Sequence, residues 1–320
     1  MENENLNDTM TTNKINVPVL FLIFNRPDTT QQVFNEIRKA QPGQLYVAAD
    51  GPRRDRPDDI ENCMKAREII QQVDWDCKVT TLFREENLGC KHAISSAIDW
   101  FFSHVEEGII LEDDCVPDQS FFPYSQNLLQ RYRNDERVMM IAGTNFLFDH
   151  NDEMNESYYF SRHYAIWGWA TWKRAWSLYD IKMSDWPTYN SREYLQEIYK
   201  NKKVATFFQK MLQVTYDNHL DTWDFQWAYT CIFNHGLAIC PKYNLISNIG
   251  NTGVHTFDPG PFNNMPREKI DPDELVHPRN ISPDFMMDNI TFNEILKWDS
   301  IPRRILILVK ILKTRLFNRL

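Results

Sequence analysis

The chain has 320 residues and a formal net charge of −9, enough length for one large domain or two modest ones. Its 10 glycines include no G-x-x-x-x-G-K-[ST] and no G-x-G-x-x-G, which excludes P-loop kinases and nicotinamide-dependent dehydrogenases. The last twenty residues hold six basic side chains and no acid, so the preceding 300 carry −15, a charge that argues against nucleic acid as a partner.

The N-terminal stretch, residues 1–15, is polar and acidic, without the basic and apolar regions of a signal peptide, and reads as a loose tail. The six cysteines are scattered with no C-x-x-C pair, a pattern that favours reduced thiols in a cytoplasmic protein over a disulfide framework. From residue 17 short apolar runs alternate with helix-like segments. Strands are expected at 17–24, 44–50, 78–83, 108–113 and 137–143. Helices are expected at 28–40 (capped by Asp28), 59–73, 91–103 and 120–133. Strands joined by helical crossovers imply an α/β fold with a mostly parallel sheet flanked by helices, and such sheets bind ligands beyond the carboxyl ends of their strands. Asp50 and the triplet Glu112-Asp113-Asp114 each end a strand.

Beyond residue 150 the periodicity loosens. Helices are expected near 171–180, 191–215 and 223–234, and loops over 241–285. Trp172 and Trp176, four apart, read as core. Residues 16–145 thus read as a nucleotide-binding layer and 146–300 as a more irregular, variable one, with no clear linker between them. Residues 301–320 place Ile305, Leu308, Val309, Leu312, Leu316 and Leu320 on one helical face flanked by Arg and Lys. That segment suits a surface-lying amphipathic helix on anionic lipid; the alternative is packing against its own domain.

The run "GIILEDDCVPDQSFF" (108–122) carries the chemistry. Three adjacent acids repel, and desolvation makes the repulsion costly. They form a solvated turn or they hold something positive, and a divalent cation is the sharper reading.

"VPVLFLIFNRP", "YVAADG", "NLGCKHAISSAIDWFF" and "GIILEDDCVPDQSFFPYSQNLL" resemble the successive donor-site segments of GT-A-fold inverting glycosyltransferases, most closely the N-acetylglucosaminyltransferase I family and its bacterial relatives. The resemblance covers residues 17–133 and continues in patches through "IWGWATWKRAW", "TWDFQWAY" and "NTGVHT". It implies a Rossmann-like GT-A fold, a UDP-sugar donor, and Mn²⁺ or Mg²⁺ bridging its phosphates as a cofactor. In the DXD-like triplet it makes Asp114 the metal ligand, sets Asp113 near the ribose or a metal-bound water, and puts Glu112 near the transferred sugar. It also implies that Asp50 accepts from the base, that Arg26 reaches the nucleotide, and that Lys91, at a helix start, faces the donor. The family more often has His at that last position. His255 would complete the metal shell or contact a phosphate. Asp224 would be the catalytic base, with Asp221 its competitor, and Trp169 and Trp223 would line the donor sugar.

The expected activity is metal-dependent inverting transfer of a sugar, N-acetylglucosamine among the candidates, to a glycan or lipid-linked acceptor in surface-polysaccharide synthesis. The site would be peripheral on the cytoplasmic face of the membrane. A sugar nucleotidyltransferase is the alternative, although "FNRPDTT" lacks the glycine-rich loop such an enzyme needs. A non-catalytic carbohydrate-binding protein is a third reading, disfavoured by the intact triplet and Asp224.

Overall fold

Strand β1 (Val19–Ile23) reads Val-Leu-Phe-Leu-Ile, and all five residues are buried. Such a run needs a helical layer on each face. Val19, Phe21 and Ile23 enter one core, while Leu20 and Leu22 enter another, the split that a period of two imposes on a central strand. The computed structural model describes residues 15–147, 154–250 and 262–297. His255, the basic segment 301–320 and residues 1–14 of the tail lie outside the described residues.

After β1 come α1 (Pro27–Ala40), β2 (Gln44–Ala49), α2 (Pro57–Glu68), a 3-10 turn at Ile69–Gln72, β3 (Lys78–Phe83) and α3 (Gly89–Phe102). Then follow β4 (Glu107–Glu112), β5 (Cys115–Pro117), α4 (Phe121–Tyr132) and β6 (Val138–Ala142). Every element expected up to residue 143 is present, with shifted ends. Helix α1 starts at Pro27, with Arg26 rather than Asp28 at its cap. Proline suits the first helical position because its missing N–H would have no partner there.

The second half differs more. It contains β7 (Tyr158–Ser161), β8 (Trp169–Trp172), α5 (Lys173–Trp176), α6 (Trp186–Tyr189), α7 (Arg192–Tyr199) and α8 (Lys202–Tyr216). It continues with α9 (Asp224–Phe233), β9 (Leu237–Pro241), β10 (Ile246–Asn248) and α10 (Phe285–Lys297). The helix expected over 171–180 shrinks to one turn, because Trp169–Trp172 is a strand between β4 and β6. Aromatic and β-branched side chains fit that pleated, buried setting. Trp172 and Trp176 are both buried as expected, but they do not share a helix. The helix expected over 191–215 breaks at Lys200, which is left-handed at φ 52°, and restarts where the Asn201 side chain accepts from Lys203 N and Val204 N. The stretch taken as loops contains β10, and the reading did not anticipate β5, β7, β9 or α10.

The eight-stranded sheet runs β3-β2-β1-β4-β8-β6-β9-β7. Strands β8 and β7 pair antiparallel and the other pairings are parallel, so strands from both sides of residue 145 share one sheet. Helices α1 and α4 cover one face, and α3 and α9 the other. In β6 a register shift between Val138 and Met140 changes the alternation: Met139 and Met140 both enter the α3/α9 core, and Ile141 returns to the other. One extra residue in a strand has that effect. Helix α9 then links two cores, sending Trp227 and Cys231 to the sheet and Ala228, Tyr229 and Ile232 to a satellite cluster built on α6, α7 and α8.

Helix α10 docks beside β7 through a buried polar contact. Asp288 accepts from Ser161 Oγ and from Arg162 N at 3.0 Å. Burial pushes its carboxyl up to about 6. The folded chain therefore holds this proton more tightly than the unfolded chain does, so the stabilisation is complete below about pH 4 and is lost as pH rises through about 6. Asp288→Asn should remove on the order of 2–3 kcal/mol of pH dependence between pH 7 and 4, read as the urea midpoint at each pH. An unchanged slope in the variant would contradict this assignment.

Candidate active site at the carboxyl ends of the strands

Strands β1, β2 and β4 are parallel, and Leu22 of β1 lies beside Glu112 of β4. Their carboxyl ends therefore open together. Beyond β1 the chain enters α1 through Arg26, and beyond β4 it turns through Asp113 and Asp114. The Arg26 guanidinium lies between those two acids, with Nη2 on Asp113 Oδ1 and Nη1 on Asp114 Oδ2 at 2.9 Å. Asp113 Oδ2 also accepts from Phe24 N at 3.3 Å. Asp113 and Asp114 are 3% and 1% exposed. Two buried carboxylates require a partner, and losing that partner costs about 3–5 kcal/mol. Arg26 fills that role here. Burial raises the Asp113 carboxyl and Arg26 pulls it back down.

Glu112 is half-buried. Desolvation pushes its carboxyl well above the usual range, Asp114 and Asp113 add to the shift, Arg26 opposes it, and Asp224 adds again. The charge on Asp224 thus acts on Glu112. Asp224 opens α9. Its Oδ1 accepts from Thr222 Oγ and from Phe225 N at 2.8 Å, and desolvation raises its carboxyl against those bonds. The Cys90 thiol lies in the same field, raised by desolvation and then by Glu112, Asp224, Asp221 and Asp50.

Asp50 serves as a loop anchor. It accepts from Gly51 N at 2.9 Å, Leu88 N at 3.0 Å, Gly89 N at 3.2 Å and Asn87 Nδ2 at 2.8 Å. Desolvation raises its carboxyl and these backbone donors oppose the rise. The loop it holds is tight: a Cβ on Gly51 would lie 2.4 Å from the Glu86 carbonyl carbon. Lys91 donates from Nζ to Asn218 Oδ1 at 2.9 Å. The α3 N-terminus is capped across the fold by Asp221, which accepts from Cys90 N at 3.1 Å and Lys91 N at 3.0 Å.

The structure thus brings Arg26, Asp50, Lys91, Glu112, Asp113, Asp114 and Asp224 to one edge of the sheet. Trp169 and Trp223 are elsewhere: both are buried, stacked with ring centroids 5.8 Å apart, and joined by Trp176 and Trp227 in the α3/α9 core. The turn before β8 is set by Gly168, at φ +60°, where a Cβ would lie 2.4 Å from Ile246 Cδ1. Two features escaped the sequence reading. Asp221, in sequence a competitor of Asp224 for the role of base, caps a helix whose N–H groups are some 130 residues away. The pairing of Arg26 with the acid turn was readable in principle, because β1 and β4 are parallel neighbours.

The acid turn offers hard oxygen donors suited to Mg²⁺ or Mn²⁺. Among the described residues no group of three or more His, Cys, Asp or Glu is gathered to hold a metal. One Asp114 oxygen faces Arg26, and the other accepts from Cys115 Sγ at 3.4 Å. The residues fit an ion held by one carboxylate and shared with substrate phosphates, as Mg²⁺ commonly is, rather than an all-protein cage. Alongside, β5 pairs with β10, and Ile249 N donates to Asp114 O at 2.8 Å.

The fold is mixed α/β, a large, mostly parallel central sheet flanked by helices on both faces. No protein-family model matches the chain, and no curated protein matches it. Among solved structures it is similar to UDP-glucose pyrophosphorylase complexed with UDP-glucose, at 9% identity and TM-score 0.30, over 51% of this chain and 78% of that one. It is also similar to mouse xyloside xylosyltransferase 1 in its apo form, at 11% identity and TM-score 0.34, over 67% of this chain and 81% of that one.

Proposed function

We propose that this chain is an inverting glycosyltransferase that moves a sugar, N-acetylglucosamine among the candidates, from a UDP-sugar to a glycan or lipid-linked glycan. The observation that carries this reading is the Arg26-bound acid turn opening beyond the carboxyl ends of the parallel strands β1 and β4, where the Asp224 charge also acts on Glu112. Raised above an ordinary aspartate, Asp224 is the stronger base. Its Oδ1 is engaged by Thr222 and Phe225, so Oδ2 receives the proton of the acceptor hydroxyl. The acceptor oxygen, losing that proton, bonds to the anomeric carbon, the bond to the diphosphate breaks, and its electron pair leaves on the phosphate oxygen. Arg26 donates to the departing phosphates and Glu112 orients the sugar. Mn²⁺ or Mg²⁺ at Asp114, when bound, supplies further positive charge to the leaving diphosphate.

Asp224→Asn should lower kcat by about 10²–10⁴ while a UDP-sugar with Mn²⁺ still raises the melting temperature as in the wild type. Full turnover in the variant would contradict the assignment, and so would release of pyrophosphate from a sugar phosphate and a nucleoside triphosphate. We place the enzyme on the cytoplasmic membrane face through residues 301–320, acting in surface-polysaccharide synthesis. Deleting those residues should release it from anionic liposomes; undiminished binding would refute that placement.

A further inference from the structure

We propose that Arg26 is a resident counter-ion: it occupies the cation position of the acid turn and excludes divalent metal from Asp114 in the nucleotide-free protein. The inference rests on the reading above only in taking Asp114 as the metal's carboxylate.

The backbone of Arg26 is pinned. Its carbonyl accepts from Thr30 N at 3.0 Å, Thr29 Oγ1 at 3.2 Å and Thr30 Oγ1 at 2.7 Å, and Pro27 follows at the first position of α1. From that fixed point the side chain reaches inward, 13% exposed, and spreads its fork over both aspartates. A guanidinium suits this task because its donors diverge in a rigid plane. The fork takes Asp114 Oδ2, and the Cys115 thiol lies on Oδ1. A divalent cation approaching Asp114 therefore meets a positive charge already seated on the same carboxylate, and the two repel.

The charge balance points the same way. With Arg26 in place, the cluster of Asp113, Asp114 and Arg26 carries a net charge of about −1, too little to attract an ion that gives up its water reluctantly. When a diphosphate takes the guanidinium, which pairs as readily with phosphate as with carboxylate, the two aspartates lose the positive charge that compensated them. Metal and nucleotide then bind together rather than metal first. Arg26 is thus a positioning residue for the ion as well as a donor to the phosphates.

Mn²⁺ binding to the full chain, followed by electron paramagnetic resonance without nucleotide, tests this directly. Wild type should bind Mn²⁺ weakly, and Arg26→Gln should bind at least about tenfold more tightly because the competing charge is gone. Arg26→Lys, a point charge without the fork, should fall between them and guards against a fold defect in the glutamine variant. Adding Asp114→Asn to Arg26→Gln should abolish the gain. Equal Mn²⁺ affinity in wild type and Arg26→Gln would overturn the proposal, as would a gain that survives Asp114→Asn. The donor reading fails separately: if UDP leaves Mn²⁺ binding by wild type unchanged while Arg26→Gln still gains it, exclusion by Arg26 stands and the nucleotide-sugar assignment falls.

Discussion

Two buried carboxylates and one guanidinium govern the architecture of the candidate site. Asp113 and Asp114 end the central strand of a sheet whose neighbours are apolar on both faces, so water cannot solvate them. Arg26, arriving from the adjacent parallel strand, supplies the missing charge through both its terminal nitrogens. This is why the first helix begins where it does. The proline that opens it and the threonines that hold the Arg26 carbonyl fix the base from which the guanidinium reaches.

Around that clamp the remaining acids divide into two kinds. Asp50 and Asp221 are engaged by backbone N–H groups at the start of α3, so they shape the rim of the pocket. Glu112 and Asp224 lie outside that set of α3 N–H donors, and desolvation is the largest influence on both. Groups whose environments are arranged to keep them proton-hungry are candidates for chemistry, while acids saturated by amides are candidates for architecture. The same sheet edge supplies both.

The first half of the fold was legible because β1, β2, β4 and β6 are buried runs bounded by turn-forming residues, so apolar stretches and helix-length gaps stood out; the exposed edge strand β3 showed by its β-branched residues instead. The acid triplet was visible for the same reason, as charge ending an apolar run. The second half was less legible. Strand β7 has four residues, and the tryptophans of β8 and α5 happen to be spaced like one helical face. Trp169 and Trp223 show the limit of residue type as evidence: a tryptophan beside a sugar and a tryptophan in a stacked core look alike in sequence, and here the stack claims them. Asp221 shows another limit, since a cap drawn from a distant loop leaves no local pattern.

The most direct measurement is a high-resolution crystal structure of the full chain with UDP and Mn²⁺. The account requires diphosphate density at the turn after β4, with the Arg26 guanidinium turned from Asp114 to a phosphate oxygen. Nucleotide bound elsewhere, with Arg26 still bridging both aspartates, would contradict it.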